Sequence, residues 1–403
     1  MKIAIVNQPL GNRGDESAHK AFVRQLALCM PDIQIDVVFL GREQVLVDAM
    51  KIDSSNVRYI NIPKYRLEGT VEKMSILLNS SLWLSYYHPT LRKFKEFIKS
   101  YDKILCAPGG ICLGGFLSWD HLWQLMVVKE LGKPIFYWGR SIGPFSDEDF
   151  SRSIFLRKSK ELLKYFSYIS LRDKTSMEIA GKMGVKAIEV VDSAFLEEPL
   201  TDISPCIQES IGKDYVVFVP NQLTWHYRYK NVSQEHINSF YLSLIDLLGR
   251  KYPSSKIVML PQTFKSWIND YEYFLKLKKL ADNDRIVVID ENQSSDIQQS
   301  IIRHSRLVVG ARYHSIVFAL NNGIPFISLS YEHKMRGLLE LIGGIEAMVN
   351  LENIFLENQS DSIKKGIDHV ESILSTPLKG ISIEKEKFLV KSELDRLVLQ
   401  LSK

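Results

Sequence analysis

The sequence predicts an α/β protein made of two Rossmann-like domains whose parallel sheets face each other across a cleft. Three observations predict it. Short β-rich runs alternate with longer amphipathic ones along most of the chain, the pattern of parallel strands joined by crossover helices. The 403 residues exceed what a single hydrophobic core organises, so two domains are expected. The alternation also falls into two series, separated by the polar, weakly patterned stretch "EEPLTDISPCIQESIGKD" (197–214).

The first series reads "KIAIVN" (2–7), "IDVVFL" (35–40), "RYINI" (58–62), "KILCAP" (103–108), "PIFYWG" (134–139), "YISLR" (168–172) and "AIEVV" (187–191). The second reads "YVVFVP" (215–220), "KIVMLP" (256–261), "RIVVI" (285–289), "RLVVG" (306–310) and "PFISLS" (325–330). Helical periodicity fills the gaps, as in "INSFYLSLIDLLGRKY" (237–252). An N-terminal domain over 1–200 and a C-terminal domain over 201–380 follow. The last segment, 381–403, is expected to be a helix that crosses back to the first domain. The excursion at 63–100 is the least regular part. Its apolar "SILLNSSLWLSYYHPTL" reads as a helical hairpin on the sheet, with a lipid anchor as the second reading.

Composition narrows the class. Hydrophobic residues make up 45% and charged residues 24%, an ordinary globular balance. A net charge of +4, with no long basic block, argues against a nucleic-acid partner. The basic "LRKFKEFIK" (91–99) reads as a solvated helix face, with an anionic membrane surface as the alternative. Cys29, Cys106, Cys112 and Cys206 form no CxxC pair and have no histidine at metal spacing, so no metal site and a reducing compartment are expected. "MKIAIVNQPLGN" reads as a first strand rather than a signal peptide, and no run approaches the ~20 apolar residues of a membrane span. A cytoplasmic protein, with peripheral contact at the inner face of the membrane kept open, is the expectation. The Asn-x-Ser triplets at Asn79, Asn231, Asn292 and Asn358 then count as chance.

In open parallel sheets, ligands bind beyond the carboxyl ends of the strands, where turns and helix N-termini converge. The polar residues collect there. After the first strand come Asn12, Gly14 and Asp15. After "KILCAP" come Gly109 and Gly110, a turn whose backbone amides can approach a ligand. Arg140 and Ser141 follow "PIFYWG", Arg172 and Asp173 follow "YISL", and Arg312 and His314 follow "RLVVG". Each has a structural reading beside the functional one: Asp15, Asp173 and Ser176 suit helix starts, and the glycines suit a tight turn. Arg172 and Arg312 come from different predicted domains and are expected to grip one anion from opposite sides, since guanidinium forks match carboxylate and phosphate. A small acid bearing both groups suits them better than a neutral sugar.

"NRGDES", the "GG" loop at 109–110, "RSIGP" (140–144), "SLRDKTS" (170–176), "VVDSAF" (190–195) and "RYHSIVFALNNGIPFISLSYEHK" (312–334) together resemble the polysaccharide pyruvyltransferase family. The resemblance covers most of the chain and implies a GT-B-like fold. It implies transfer of pyruvate from phosphoenolpyruvate (PEP) onto two hydroxyls of one sugar, giving a cyclic ketal and phosphate without a cofactor. On that resemblance Arg172, Arg312 and His314 bind PEP, with His314 the catalytic group. Asn12, Asp15, Gly109, Gly110, Arg140, Ser141 and Lys334 are further cleft candidates. The first domain would be the acceptor side with part of the PEP site, and the acceptor a lipid-linked or nucleotide-linked glycan precursor. Two departures stand out: "GGICLGGF" replaces a polar "GGS" start, and 63–100 aligns with no family motif.

The rival enzyme is a GT-B glycosyltransferase with a nucleotide-sugar donor, since fold does not fix function. The "DED" at 147–149 reads as a helix cap rather than a metal-binding D-x-D. A non-catalytic binding protein is the third reading, disfavoured by the R-x-H turn. No G-x-S-x-G, Walker or H-E-x-x-H pattern supports a hydrolase, a nucleotide phosphatase or a metalloprotease.

Overall fold

Apolar runs rich in Val and Ile, buried on both faces, become the strands of two parallel sheets, as such runs must when helices cover both sides. The structure is a computed structural model that describes residues 1–63, 68–78, 82–197, 202–265, 268–290, 293–357, 361–376 and 379–403. The triplets at Asn79, Asn292 and Asn358, and residues 198–201 of the expected domain junction, lie outside the described residues.

The first sheet has eight strands: β1 (Lys2–Val6), β2 (Gln34–Leu40), β3 (Val57–Ile62), β4 (Lys103–Cys106), β5 (Gly109–Leu113), β6 (Ile135–Ile142), β7 (Tyr168–Leu171) and β8 (Ile188–Glu189). Their order is β3-β2-β1-β4-β6-β7-β8, with β5 paired to β6. The chain starts in the middle at β1, builds one way to β3, then returns to the other side of β1 through β4. Ile3 and Val6 on β1 stand opposite Lys103 and Cys106 on β4.

The second sheet repeats that logic with β9 (Tyr215–Val219), β10 (Lys256–Met259), β13 (Ile286–Val288), β14 (Val308–Gly310), β15 (Phe326–Ser330) and β16 (Met348–Asn350), ordered β13-β10-β9-β14-β15-β16. Between β10 and β13 lies a small antiparallel hairpin, β11 (Phe264–Lys265) with β12 (Ile268–Asn269). Each large sheet therefore has a topological switch point, at β1/β4 and at β9/β14, where the winding reverses and a crevice opens beyond the carboxyl ends.

Contacts divide the chain into two compact units: Met1–Leu10, Asp15–Glu197 and Glu386–Lys403 in one, and Gly11–Gly14 and Glu198–Lys385 in the other. The C-terminal helix Glu384–Leu401 packs within the first unit, where the Tyr168 hydroxyl hydrogen-bonds the buried Glu393. Four residues of the N-terminal loop, Gly11–Gly14, belong to the second unit.

Aromatic packing fixes the first core. Phe22 stacks on Trp138 with ring centroids 4.7 Å apart, and Phe94 lies 5.5 Å from Trp123. Burying each such side chain stabilises by about 1.5–3 kcal/mol. The described residues between 68 and 98 include the helix Glu68–Leu77, a 3-10 turn over Leu82–Tyr87 and the helix Pro89–Ile98. The last of these buries Leu91, Phe94 and Ile98 and leads back to β4. Asp149 accepts from the Arg152 amide at 2.9 Å and so caps the helix Phe150–Tyr165. That is the capping role read for "DED".

Two expectations need correction. Gly109 and Gly110 do not form a loop; they begin β5, with Gly109 opposite Arg140 on β6. Glycine's weak strand preference makes such a segment read as a turn, but the backbone takes φ +131° at Gly109 and leaves no room for a side chain, whose Cβ would stand 2.7 Å from Pro9 Cγ. Arg140 is also no rim residue, being 1% exposed within the first unit. Among the described residues, no helix is long and apolar enough to cross a membrane.

Candidate active site

In the second unit the chain leaves β14 at Gly310, turns through Ala311 and Arg312, and enters the helix Tyr313–Asn321. This is the carboxyl side of the β9/β14 switch point. Ala311 N–H donates to Val219 O at 2.8 Å, so the turn is pinned to the end of β9. The Ser315 hydroxyl caps the turn by donating to Arg312 O at 2.6 Å. Gly310 must be glycine there, because a Cβ would fall 2.0 Å from Ser315 Oγ. Sequence thus places Arg312 and His314 on the first turn, both buried.

Arg312 is already held. Its Nε donates to Asp270 Oδ2 at 3.2 Å and its Nη2 to Asp270 Oδ1. Asp270 Oδ2 also accepts from the Gln262 and Thr263 amides, at 3.1 and 3.0 Å. Burial opposes the charge on this guanidinium, but the Asp270 carboxylate outweighs it and raises the pKa above its ordinary value. The Trp225 ring lies 5.8 Å away, and its Nε1 donates to Asn221 Oδ1 at 2.9 Å. Two of the three guanidinium nitrogens therefore fix the side chain on a carboxylate. The expected pure anion grip is instead a clamped, pre-oriented cation, the arrangement that spares a ligand the cost of ordering it.

His314 packs with its ring against the backbone of Gly14. An ideal Cβ at Gly14 would stand 1.9 Å from His314 Nδ1 and 2.0 Å from Cγ. The loop carrying Gly14 is tied down by Arg13 N–H to Gln262 O at 2.8 Å and Phe264 N–H to Gly11 O at 3.0 Å, with a bridge between Asn12 and Thr263. Asn12 Oδ1 accepts from Gly14 N–H at 2.7 Å. Asn12 and Gly14 thus shape the seat of the histidine. Lys334 is the second residue of the helix His333–Ile342 in this unit and is half-buried.

In the first unit, Ser141 near the end of β6 and the residues that follow β7 and β8 converge. Arg172 donates from Nε to Ser141 Oγ at 3.2 Å and forms an ion pair through Nη1 with the buried Asp192. Ser141 Oγ donates to Asp173 Oδ2 at 2.6 Å. Asp173 caps the helix Lys174–Lys182 by accepting from Ser176 N–H at 2.7 Å, and the Ser176 hydroxyl reaches it at 2.8 Å. The cap reading of Asp173 and Ser176 holds, and the same bonds position Ser141 beside Arg172. Asp15, in the first turn of the helix Arg13–Cys29, accepts from Gly110 N–H at 3.1 Å. The Gly110 amide is therefore spent within the protein rather than offered to a ligand.

Arg140 works as a strut. Its Nη1 donates to Asn7 O at 2.7 Å and to Ala107 O, and its Nε donates to Gly110 O at 3.0 Å. It gathers the carboxyl ends of β1 and β4 and the start of β5 by satisfying their backbone carbonyls. Asp270 and Asp192 were the residues sequence reasoning missed. Asp270 sits in "INDYEY" with only a helix-start signal, and Asp192 lay inside a quoted motif with no role given.

Two doubly wound parallel sheets with charged turns at their carboxyl edges give the chain a GT-B-like fold. The chain belongs to the polysaccharide pyruvyl transferase family, whose model matches residues 30–333. It is 24% identical over 417 residues to the amylovoran biosynthesis protein AmsJ of Erwinia amylovora, with 96% of each chain covered. Its fold resembles the UDP-GlcNAc 2-epimerase of Methanocaldococcus jannaschii (TM-score 0.59, 12% identity, 100% and 99% of the two chains covered). It likewise resembles a ugt transferase of Siraitia grosvenorii in complex with UDP (TM-score 0.58, 11% identity, 100% of both chains covered). At those identities the likeness is one of fold. The chain is thus an enzyme, a pyruvyltransferase of polysaccharide biosynthesis.

Proposed function

We propose that this enzyme takes pyruvate from PEP and closes it as a cyclic ketal on two hydroxyls of one sugar in a glycan precursor, releasing phosphate. The observation that carries the reading is the turn after β14, where a clamped arginine precedes a histidine seated on a glycine. Ketal formation needs these parts: an acid for the vinyl carbon and fixed cations for phosphate and carboxylate.

In this reading His314 gives a proton to the methylene of PEP. The new C–H bond turns the methylene into a methyl and leaves an oxocarbenium-like carbon. One sugar hydroxyl attacks that carbon and its proton returns to the imidazole. Phosphate departs with the electrons of its C–O bond. The second hydroxyl then closes the ring, and its proton leaves with phosphate. Arg172 and Arg312 bind PEP, Ser141 positions Arg172, and Asp270 positions Arg312. Lys334 and Asp15 are secondary ligand contacts. PEP is the substrate, the first unit carries the acceptor side, and no cofactor enters the scheme. The acceptor is a cytoplasmic precursor, lipid-linked or nucleotide-linked.

The competing reading is a nucleotide-sugar glycosyltransferase, favoured by the fold shared with UDP-binding enzymes. A thermal-shift comparison of PEP with UDP-sugars separates the two, since a ligand that binds only the native state raises the melting temperature. The proposal expects PEP to stabilise the protein, whether or not a UDP-sugar also does so as a nucleotide-linked acceptor. Stabilisation by UDP-sugars alone would overturn it.

A further inference from the structure

We infer that the loop after β9 carries a stacking subsite for one sugar ring of the glycan acceptor, with the Tyr227 ring as its platform. The inference rests on the proposed transfer to a glycan, and it adds a contact in the second unit to the acceptor side of the first. Residues 220–233 join β9 to the helix Gln234–Lys251 and leave the sheet at the β9/β14 switch point, where ligands of doubly wound sheets bind. Four ring-bearing residues, Trp225, His226, Tyr227 and Tyr229, crowd into this loop.

Three of them build a support. Tyr229 is fully buried, and its hydroxyl donates to Tyr331 O at 3.0 Å, just past the end of β15. Trp225, the neighbour of Arg312, meets the Tyr331 ring edge to face at 6.2 Å. His226 meets both rings edge to face, at 5.5 Å from Trp225 and 5.7 Å from Tyr331. Tyr227 then lies on His226, with centroids 4.6 Å apart and planes inclined at 34°, yet it is 75% exposed. Backbone bonds fix the loop: His226 N–H donates to Leu223 O at 2.8 Å and Tyr229 N–H to His226 O at 2.9 Å. Arg228 adds an ion pair with Glu352. An exposed ring held this firmly loses little freedom when a ligand covers it.

A pyranose ring carries C–H groups on its faces and hydroxyls around its edge. The electron-rich face of an aromatic ring meets the first, and polar side chains beside that ring meet the second. Arg228 and Glu352 supply such an edge. Because they neutralise each other, they offer donors and acceptors to hydroxyls rather than net charge to the phosphate of a nucleotide. A protein partner needs a broad patch, on the order of 800 Å² on each side. Among the described residues of this loop no large hydrophobic other than Tyr227 is exposed. The platform therefore suits a single sugar ring.

The test is saturation-transfer NMR on the full chain, without PEP, using maltose, cellobiose and lactose as probes and uridine monophosphate in a separate arm. Wild type should transfer saturation to the ring C–H protons of at least one disaccharide. Tyr227→Ala should bind that disaccharide about tenfold more weakly, the loss expected for one covered apolar face. Tyr227→Phe, which keeps the face, should bind it like wild type. Absence of transfer to all three disaccharides, or equal affinity in Tyr227→Ala, would overturn the inference. So would uridine monophosphate binding that Tyr227→Ala abolishes while disaccharide binding persists, which would assign the ring to a nucleobase. Should Tyr227→Ala fail to fold, hydrogen exchange on the unaltered protein decides: the bound disaccharide must slow exchange over residues 224–232, and unchanged exchange there rejects the subsite. Calorimetry with PEP on the same wild-type protein keeps the two readings apart, since PEP that does not bind overturns the reaction scheme and leaves the sugar result standing.

Discussion

The imidazole of His314 occupies the space that a side chain on Gly14 would fill, with Nδ1 1.9 Å from the position of that absent Cβ. These residues are 300 positions apart in sequence, yet both belong to the second unit. Asn12–Gly14, the start of the "NRGDES" motif, and the R-x-H motif are therefore parts of one local structure.

Gly14→Ala should displace the ring without unfolding the protein. A shift of about 1 Å at a reacting group can cost on the order of 100-fold in rate, and an overpacked methyl costs about 1–3 kcal/mol of stability. Turnover should fall at least that far, with PEP binding, read by calorimetry, little changed. In the His314→Ala background the same alanine should cost far less stability, because the colliding ring is gone. An equal penalty in both backgrounds would show that the two residues do not touch.

Asp270→Ala should be strongly destabilising. It leaves the buried guanidinium of Arg312 without its carboxylate, and removing one partner of a buried pair typically costs about 3–5 kcal/mol. The loss should appear as a lower denaturation midpoint. A variant as stable as wild type would mean that Arg312 finds another anion or reaches solvent.

Arg172→Ala or Arg312→Ala should weaken PEP binding by about 1.5–3 kcal/mol for each charged hydrogen bond lost. Lysine should not restore either site, because an ammonium cannot hold Asp270 through two nitrogens while meeting an anion with a third. Titration calorimetry with PEP checks this. Full recovery by Arg312→Lys would show that charge alone, not the fork, matters.

Acid should destabilise the first unit through His19. This residue is fully buried in the helix Arg13–Cys29, and neither ring nitrogen has a hydrogen-bond partner among the described residues. Burial above all, aided by the charge of Lys20, lowers its pKa from 6.5 to about 3. The unfolded chain therefore takes up the proton first, and stability must fall as pH drops from 6.5 toward 3. Denaturant midpoints measured across that window should drop less steeply for His19→Leu than for wild type. Parallel slopes would assign the acid sensitivity elsewhere.

Much of the fold was legible because strand and crossover patterns are local. Each β-rich run of the two series became a strand, with ends shifted by a residue or two except at β6, which runs on through Arg140 and Ser141 to Ile142, and sheets wound from their middle strands follow from the β-α alternation. β5 was not legible, because "GGICL" carries the turn chemistry of glycine while its pairing with β6 is decided by distant residues. β16 lay hidden after "GGIEA" for a similar reason, and the hairpin β11/β12 is too short to show a period. For the site, the sequence located the polar turns but not their partners. Arg312 with Asp270 and Arg172 with Asp192 are pairings across loops of unrelated spacing, and nothing local encodes them. Arg140 misled because a buried arginine that gathers backbone carbonyls looks, in sequence, like one that awaits an anion.

The most direct test of the central claim is to incubate wild type and His314→Ala with PEP and a panel of sugar acceptors, following phosphate release and the mass of the sugar. Wild type should release phosphate in step with sugar that gains one pyruvate as a ketal, and His314→Ala should bind PEP yet do neither. Near-normal turnover by His314→Ala, or a wild type that never modifies a sugar from PEP while accepting a nucleotide-sugar donor, would contradict the account.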